Sequence, residues 1–198
     1  MVFMMITTVL FYTFFICLVG LEIYWLLRMV EFIWAGYIKR QIPFVASDNK
    51  LRMAVINEIK KDYPEYKTMC EIGSGYGGMA RAVARGCGMR VTALENMPFT
   101  YFVARVLDFV SGARGVKTLR VDAFKWLGEY DGVFDIGLAY LGAGVNDRLI
   151  DYMHRFRVLF VLDVPMSNMV PVRVVDIGGG FTRYGDKKYP HKLFIYTK

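Results

Sequence analysis

The stretch that decides the fold is Cys70-Glu71-Ile72-Gly73-Ser74-Gly75-Tyr76-Gly77-Gly78-Met79-Ala80. A short apolar run ends in an acid, glycines follow at alternating positions, and a helix-like run comes next. Glycines let the backbone turn sharply and let a ligand approach the main chain. The first turn of the following helix offers unsatisfied N–H groups and the positive end of a dipole. Gly73, Gly75 and Gly78 also satisfy G-x-G-x-x-G, so the loop alone admits a dinucleotide.

Working outward, apolar runs and helical patterns alternate. Strands are expected at Thr68–Ile72, Arg90–Leu94, Val116–Val121, Val133–Ala139 and Val158–Val164, with helices at Gly78–Arg85, Phe99–Val110 and Asp147–Arg155. Strand, helix, strand in repetition implies a parallel sheet covered on both faces. Val172–Ile177 and Leu193–Thr197 read as two more strands with no helix between them, hence an antiparallel hairpin at one sheet edge. Upstream, Ser47 or Asp48 is placed to cap a helix to about Lys61, with Leu51, Val55 and Ile59 on one face.

Each of the first three strands ends in an acid. Glu71 lies two residues before the first glycine, where it would repel a pyrophosphate. S-adenosylmethionine instead presents an ammonium, a carboxylate and a sulfonium: Glu71 suits the cationic end and the loop N–H groups suit the carboxylate. Glu95 can accept both ribose hydroxyls, although a nicotinamide dinucleotide would use it in the same way. Asp122 suits the adenine amino group, with the Ala123 N–H available to a ring nitrogen and Phe124 for apolar contact. An acid after a strand is, taken singly, more often a helix cap than a ligand. Ligands bind at the C-terminal strand ends of an open parallel sheet, where these three acids fall.

Glu71-Ile72-Gly73-Ser74-Gly75-Tyr76-Gly77, Ala93-Leu94-Glu95-Asn96-Met97-Pro98-Phe99 and Arg120-Val121-Asp122-Ala123-Phe124 together resemble the signature of the seven-strand, Rossmann-like class I S-adenosylmethionine-dependent methyltransferases, from about Lys67 to the C-terminus. Ile42-Pro43-Phe44-Val45-Ala46-Ser47 resembles a segment of the membrane-anchored protein-lysine methyltransferases of mitochondria and their prokaryotic relatives. Two departures stand out. The second strand end reads Leu94-Glu95-Asn96-Met97-Pro98, one residue longer than that group's E-x-N-P. Its Pro-Gly-Trp-like stretch after the fifth strand is represented only by Val164-Pro165-Met166-Ser167-Asn168. The resemblance implies a doubly wound α/β fold with a mostly parallel seven-stranded sheet and a C-terminal antiparallel hairpin. It implies S-adenosyl-L-methionine as cofactor, held by Glu71, Gly73, Ser74, Gly75, Gly77, Glu95, Asn96, Asp122 and Ala123, with Phe44 and Ser47 over the methionine end.

Met1–Leu21 carries no charged side chain and is long enough, at about 1.5 Å per residue, for a bilayer core of about 30 Å. Tyr24, Trp25, Trp34 and Tyr37 are aromatics of the membrane-interface kind, and Arg28 and Glu31 are spaced to pair. Lys39 and Arg40 close the segment. All nearby cations lie C-terminal to the span, which places the rest of the chain on the cytoplasmic side or its organellar equivalent. A helix buried in a partner protein is the alternative. The division expected is an anchor, 1–40, and a methyltransferase domain, 41–198. The chain of 198 residues is 55% hydrophobic, with 25 Lys+Arg against 18 Asp+Glu and a formal charge of +7. That charge is assigned to a membrane surface or an acidic protein face. Cys17, Cys70 and Cys87 show no metal or disulfide spacing, and no metal site is expected.

Methyl transfer needs an acceptor held in line with the donor methyl, and an amine acceptor must be neutral. Asp135, Tyr140 and Asp163 are the candidates to assist, by position near the fourth and fifth strands, Asp135 and Tyr140 foremost. His154 and His191 read as surface or cap residues. Leu138-Ala139-Tyr140-Leu141 lacks the Asn/Asp-Pro-Pro-aromatic stretch of nucleobase-amine methyltransferases, so no nucleic acid is expected. Three readings stay open: a protein-lysine N-methyltransferase, a methyltransferase of a lipid headgroup or small lipophilic amine, and a non-catalytic nucleotide-binding protein, including one that binds NAD.

Overall fold

The computed structural model describes residues 2–33, 47–142, 144–178, 182–184 and 187–197. The chain divides into two compact units, Met1–Pro43 and Phe44–Lys198.

Among the described residues, the first unit contains one helix, α1 (Val2–Ile33). Its 32 residues give a length of about 48 Å. Within it, Met5–Glu31 is long and apolar enough to cross a membrane. The Thr13 hydroxyl donates to the Val9 carbonyl at 2.9 Å, which satisfies it inside an apolar helix. Arg28 Nη1 donates to Glu31 Oε2 at 2.8 Å, the pair that their spacing predicts. Trp34, Tyr37, Lys39, Arg40 and the Ile42–Ala46 segment lie outside the described residues.

The second unit begins with α2 (Asn49–Asp62), capped by Asp48, whose carboxylate accepts the Leu51 N–H at 2.8 Å. Leu51, Val55, Ile56 and Ile59 are its buried stripe. Then follow β1 (Thr68–Ile72), α3 (Gly78–Cys87), β2 (Arg90–Glu95), α4 (Pro98–Val110), β3 (Val116–Arg120), α5 (Ala123–Glu129), β4 (Phe134–Ala139), a 3-10 helix (Asn146–Arg155) and β5 (Phe156–Leu162). The chain ends with β6 (Arg173–Asp176), β7 (Thr182–Tyr184), β8 (Lys187–Tyr189) and β9 (Lys192–Thr197).

Seven strands form one sheet in the order β3-β2-β1-β4-β5-β9-β6. The first five run parallel, and β9 is antiparallel to both β5 and β6. The expected terminal hairpin is therefore present, with β9 inserted between β5 and β6. Its connection carries a second small hairpin, β7 with β8, which includes Lys187 and Lys188. Three other expectations are corrected. The stretch 146–155 winds as a 3-10 rather than an α-helix. The fifth strand is Phe156–Leu162, ending where Asp163 turns to a left-handed φ of 63° and Pro165 follows. Helix α5, capped by Asp122, fills a stretch in which the apolar pattern announces no helix.

Alternation along the strands separates two cores. Met69, Val91, Ala93, Ile136, Leu138, Val158 and Phe160 pack under α2 and α3. Cys70, Ile72, Leu94, Ala139, Leu159, Val161 and Tyr196 pack with Phe124, Leu127, Leu149 and Met153 on the other face. By strand parity, Glu71, Glu95 and Tyr140 share the α2/α3 face with Met69, Ala93 and Leu138.

Gly137, mid-strand in β4, is fixed by packing. A Cβ there would stand 2.7 Å from Phe156 and 2.8 Å from Leu159, both buried side chains. Gly137→Ala is expected to cost about 1–3 kcal/mol by overpacking, read as a lowered urea midpoint with an unchanged slope.

Candidate active site

The loop from β1 to α3 needs its glycines. Gly73, Gly75 and Gly77 have φ of 70°, 56° and 71°, a left-handed region that costs side chains. Gly73 is also too close to its neighbour for a side chain, since a Cβ there would lie 2.7 Å from Leu141 Cδ2. The loop is pinned by Ser74 N–H donating to the Leu94 carbonyl at 2.9 Å and Gly77 N–H to the Ser74 carbonyl at 2.9 Å. Gly77, at the N-cap of α3, makes no side-chain cap bond, and of the first-turn N–H groups that of Ala80 meets the Glu71 carboxyl.

Glu71 is buried under this loop, and its Oε2 has no hydrogen-bond partner. Burial pushes its carboxyl up to about 8. The Ala80 N–H, Arg81 and Arg52 oppose that rise, while Glu95 adds to it. Glu95, also buried, accepts from Gly75 N–H at 2.8 Å through Oε2 and from Met97 N–H at 2.7 Å through Oε1. Ser74 Oγ is a further buried atom without a partner.

Strand register aligns the ends. Ile72 pairs with Leu94, Glu95 pairs with Arg120, and Val121 N–H donates to the Glu95 carbonyl at 3.0 Å. Glu71, Glu95 and Asp122 therefore terminate three adjacent parallel strands on one edge. Asp122 is exposed and acts as a cap, with Oδ1 accepting from Phe124 and Lys125 N–H groups at 3.0 and 3.1 Å. Asn96 and Ala123, both half-buried, follow Glu95 and Asp122 on that edge. Phe44 lies outside the described residues. Ser47 accepts from Arg52, Oγ from Nε at 3.1 Å and the carbonyl from Nη2 at 2.6 Å. The same guanidinium sits against Gly78, where a Cβ would be 2.6 Å from Nη2.

The proposed assisting residues separate. Asp135 sits at the start of β4, the opposite end of the sheet from the loop. Its Oδ2 accepts from Lys67 N–H, Thr68 N–H and the Thr68 hydroxyl at 2.9, 2.9 and 2.8 Å. Despite some burial, those bonds and Arg157 hold its carboxyl below the usual range. It staples the N-terminal ends of β1 and β4, and its position argues against any part in the chemistry. Tyr140, directly after β4, stands beside the loop because Ile72 pairs with Ala139. Its hydroxyl donates to Asp163 Oδ2 at 2.8 Å.

Sequence reasoning missed the next partner. His191 is buried, with Nδ1 2.7 Å from Asp163 Oδ2 and Nε2 3.7 Å from Asp48 Oδ2. Lys192 N–H donates to Asp163 Oδ1 at 3.1 Å. Tyr140, Asp163, His191 and Asp48 thus form a chain from the end of β4 to the cap of α2. Asp163, in a left-handed conformation unusual for a residue with a side chain, is its centre. The signal lay in the hairpin register: Leu162 opposite Leu193 brings His191 alongside Asp163. Asn146 was missed too. It is fully buried and donates to the Leu141 and Val164 carbonyls at 3.3 and 2.6 Å, tying the loops after β4 and β5.

No family model matches the chain, and no curated protein matches it. Solved structures do. An RNA methyltransferase from Salinibacter ruber, crystallised with S-adenosyl-L-homocysteine, is similar with a TM-score of 0.61 at 21% identity, over 77% of this chain and 93% of that one. A precorrin-6y C5,15-methyltransferase from Geobacter metallireducens gives 0.60 at 17% identity, over 80% and 93%. TrmN from Thermus thermophilus gives 0.55 at 17%, over 75% and 48%. The chain has the seven-strand, Rossmann-like fold of the S-adenosylmethionine-dependent methyltransferases.

The raised Glu71 carboxyl has a consequence for stability. Below its ordinary value of 4.5 it is protonated folded and unfolded alike. Between 4.5 and about 8 the unfolded chain loses that proton and the folded chain keeps it, so stability falls as pH rises. Chemical denaturation across this window is expected to show a steeper loss in the wild type than in Glu71→Gln.

Proposed function

We propose that this protein is an S-adenosylmethionine-dependent methyltransferase, tethered to a membrane by α1, that methylates an amine, a protein lysine side chain being the foremost reading. The observation that carries the donor assignment is the buried Glu71 carboxyl, one oxygen without a partner, beneath a glycine loop that opens helix α3. That set suits a ligand with a cation and a carboxylate side by side. A dinucleotide pyrophosphate would bring no cation to that carboxyl.

Bound here, S-adenosylmethionine supplies an electrophilic methyl on a sulfonium. Glu71 meets the ammonium and ionises as it does so. The loop N–H groups, Ser74 and the Arg52 guanidinium receive the carboxylate. Glu95, at the end of β2, lies where the ribose hydroxyls would fall. The Ala123 N–H, with Asp122 alongside, meets the adenine edge.

The acceptor side falls at the end of β4. A lysine amine, with an ordinary pKa near 10.4, must shed a proton before it attacks. Tyr140 Oη accepts that proton while its own passes to Asp163 Oδ2. His191 and the half-exposed Asp48 continue the route to solvent. The N–C bond forms, the S–C bond breaks, and the donor leaves as a thioether. Asp135 has no part in this scheme. The protein-lysine assignment rests on the resemblance of the N-terminal region and of the loops. The structural neighbours, which include RNA methyltransferases, share the fold and leave the acceptor to experiment.

Full-length protein in vesicles, given methyl-labelled donor and fractionated lysate, is expected to place label in protein and to release it as methyl-lysine on hydrolysis. Label in organic extract would move the acceptor to a lipid or small amine, and label in RNA to a nucleobase. Absence of donor binding together with binding of NAD would overturn the whole reading. Tyr140→Phe is expected to lower kcat by about 100-fold or more with donor affinity unchanged. Equal losses in donor affinity would make Tyr140 a binding residue instead.

A further inference from the structure

Helix α4 is built inside out. The face it buries is small and polar: Thr100, Ala104 and Asp108. Asp108 pairs with Arg81 at 3.0 Å and accepts the Thr118 hydroxyl at 2.6 Å. The opposite face carries Phe102, Val106, Phe109 and Val110, exposed by 61, 43, 87 and 75%. Their spacing of 4, 7 and 8 residues from Phe102 puts them on one stripe. Single exposed apolar residues are ordinary, but a contiguous row marks a surface that something covers.

The charges around the stripe say what covers it. From Pro98 to Arg120 the ionisable side chains are Arg105, Asp108, Arg114, Lys117 and Arg120, plus Tyr101. The acid is buried and paired, whereas the four cations are exposed. Arg105 lies on the stripe itself, one turn after Phe102, and its long apolar stem lets the guanidinium reach outward from an apolar layer. By strand parity Lys117 turns to the other face of the sheet, with Leu119, which leaves Arg105, Arg114 and Arg120 as the exposed charges of this stretch on the α4 side. An apolar row whose exposed charges along the same stretch are all cations is the make-up of a helix that lies in the headgroup region of an anionic bilayer.

We propose that α4 is a membrane-surface helix: its Phe102–Val110 face inserts among anionic phospholipid headgroups, with Arg105, Arg114 and Arg120 pairing with phosphates. The proposal is independent of the methyltransferase reading. It draws on the membrane-anchor reading only in that a spanning α1 would hold a bilayer within reach of the domain and raise its effective concentration.

The test uses the full-length chain reconstituted in vesicles, with photoreactive benzoylphenylalanine at one position at a time. Phe109 probes α4, Phe11 probes α1, and Val170, in the connection after β5 and 86% exposed, is the control. Vesicles of phosphatidylcholine alone are compared with vesicles that also contain phosphatidylglycerol. Lipid adducts are expected at Phe109 and not at Val170. Those at Phe109 should fall roughly tenfold without phosphatidylglycerol or in high salt, while those at Phe11 stay constant. Lipid adducts at Phe11 with none at Phe109 would overturn the proposal and leave the anchor intact. Adducts at Phe109 to protein would assign the face to a protein partner and overturn it equally, and lipid adducts indifferent to phosphatidylglycerol would refute the headgroup pairing. Lipid adducts at Phe109 without any at Phe11 would support α4 and remove the anchor.

Discussion

A carboxyl group sealed at the end of β1, with one oxygen unanswered, is the constraint around which the second unit is arranged. Burying an acid costs several kcal/mol unless it stays neutral or finds partners. Here burial keeps Glu71 protonated over much of the physiological range, while the Ala80 N–H, Arg81 and Arg52 recover part of the loss. Those groups are brought by two different helices. Ala80 and Arg81 belong to α3, Arg52 to α2, and the glycines between β1 and α3 let both helices close over the strand end. Such a group weakens the apo fold and strengthens the grip on a cation, which explains its presence in a core that could have used an apolar residue.

The two cores divide the labour. The face under α2 and α3 carries Glu71, Glu95 and Tyr140, so the glycine loop and the Tyr140–Asp163 hydrogen bond belong to one side of the sheet. The opposite face, packed with Phe156, Leu159 and Tyr196, holds the sheet in register, and Gly137 is the place where its packing admits no added atom. Asn146 and Asp163 transmit that rigidity to the loops after β4 and β5. The Tyr140–Asp163–His191 chain then joins strand ends that are far apart in sequence: one at residue 140, one at 163, and one reached only through the terminal hairpin.

Much of the fold was legible because it rests on local pattern. Alternating runs gave five parallel strands and the terminal hairpin, and the glycine run marked the turn from β1 into α3. What failed was non-local. Asp135 was placed by nearness to a strand, but it starts β4 instead of ending it, so it faces Thr68 at the far edge. His191 follows a proline and reads as a surface residue until the pairing of β9 with β5 is known. Asp122 caps α5, the role its residue type favours, and does so on the same sheet edge where the donor is proposed to lie. Helix α5 is seven residues long with Gly128 inside it, too short for a periodic signal. The inverted α4 was invisible for a related reason: a helical stripe shows which residues share a face, and only the packing of Asp108 on Arg81 and Thr118 shows which face is turned inward.

The central claim is that Glu71 is neutral in the free protein and becomes an anion when it meets the donor cation. Isothermal titration of S-adenosylmethionine into the full-length protein near neutral pH, in buffers of different ionisation enthalpy, measures the protons exchanged. The account predicts that the wild type releases about one proton more per donor bound than Glu71→Gln does. Equal proton exchange in the two proteins, with donor bound to both at the same affinity, would contradict it.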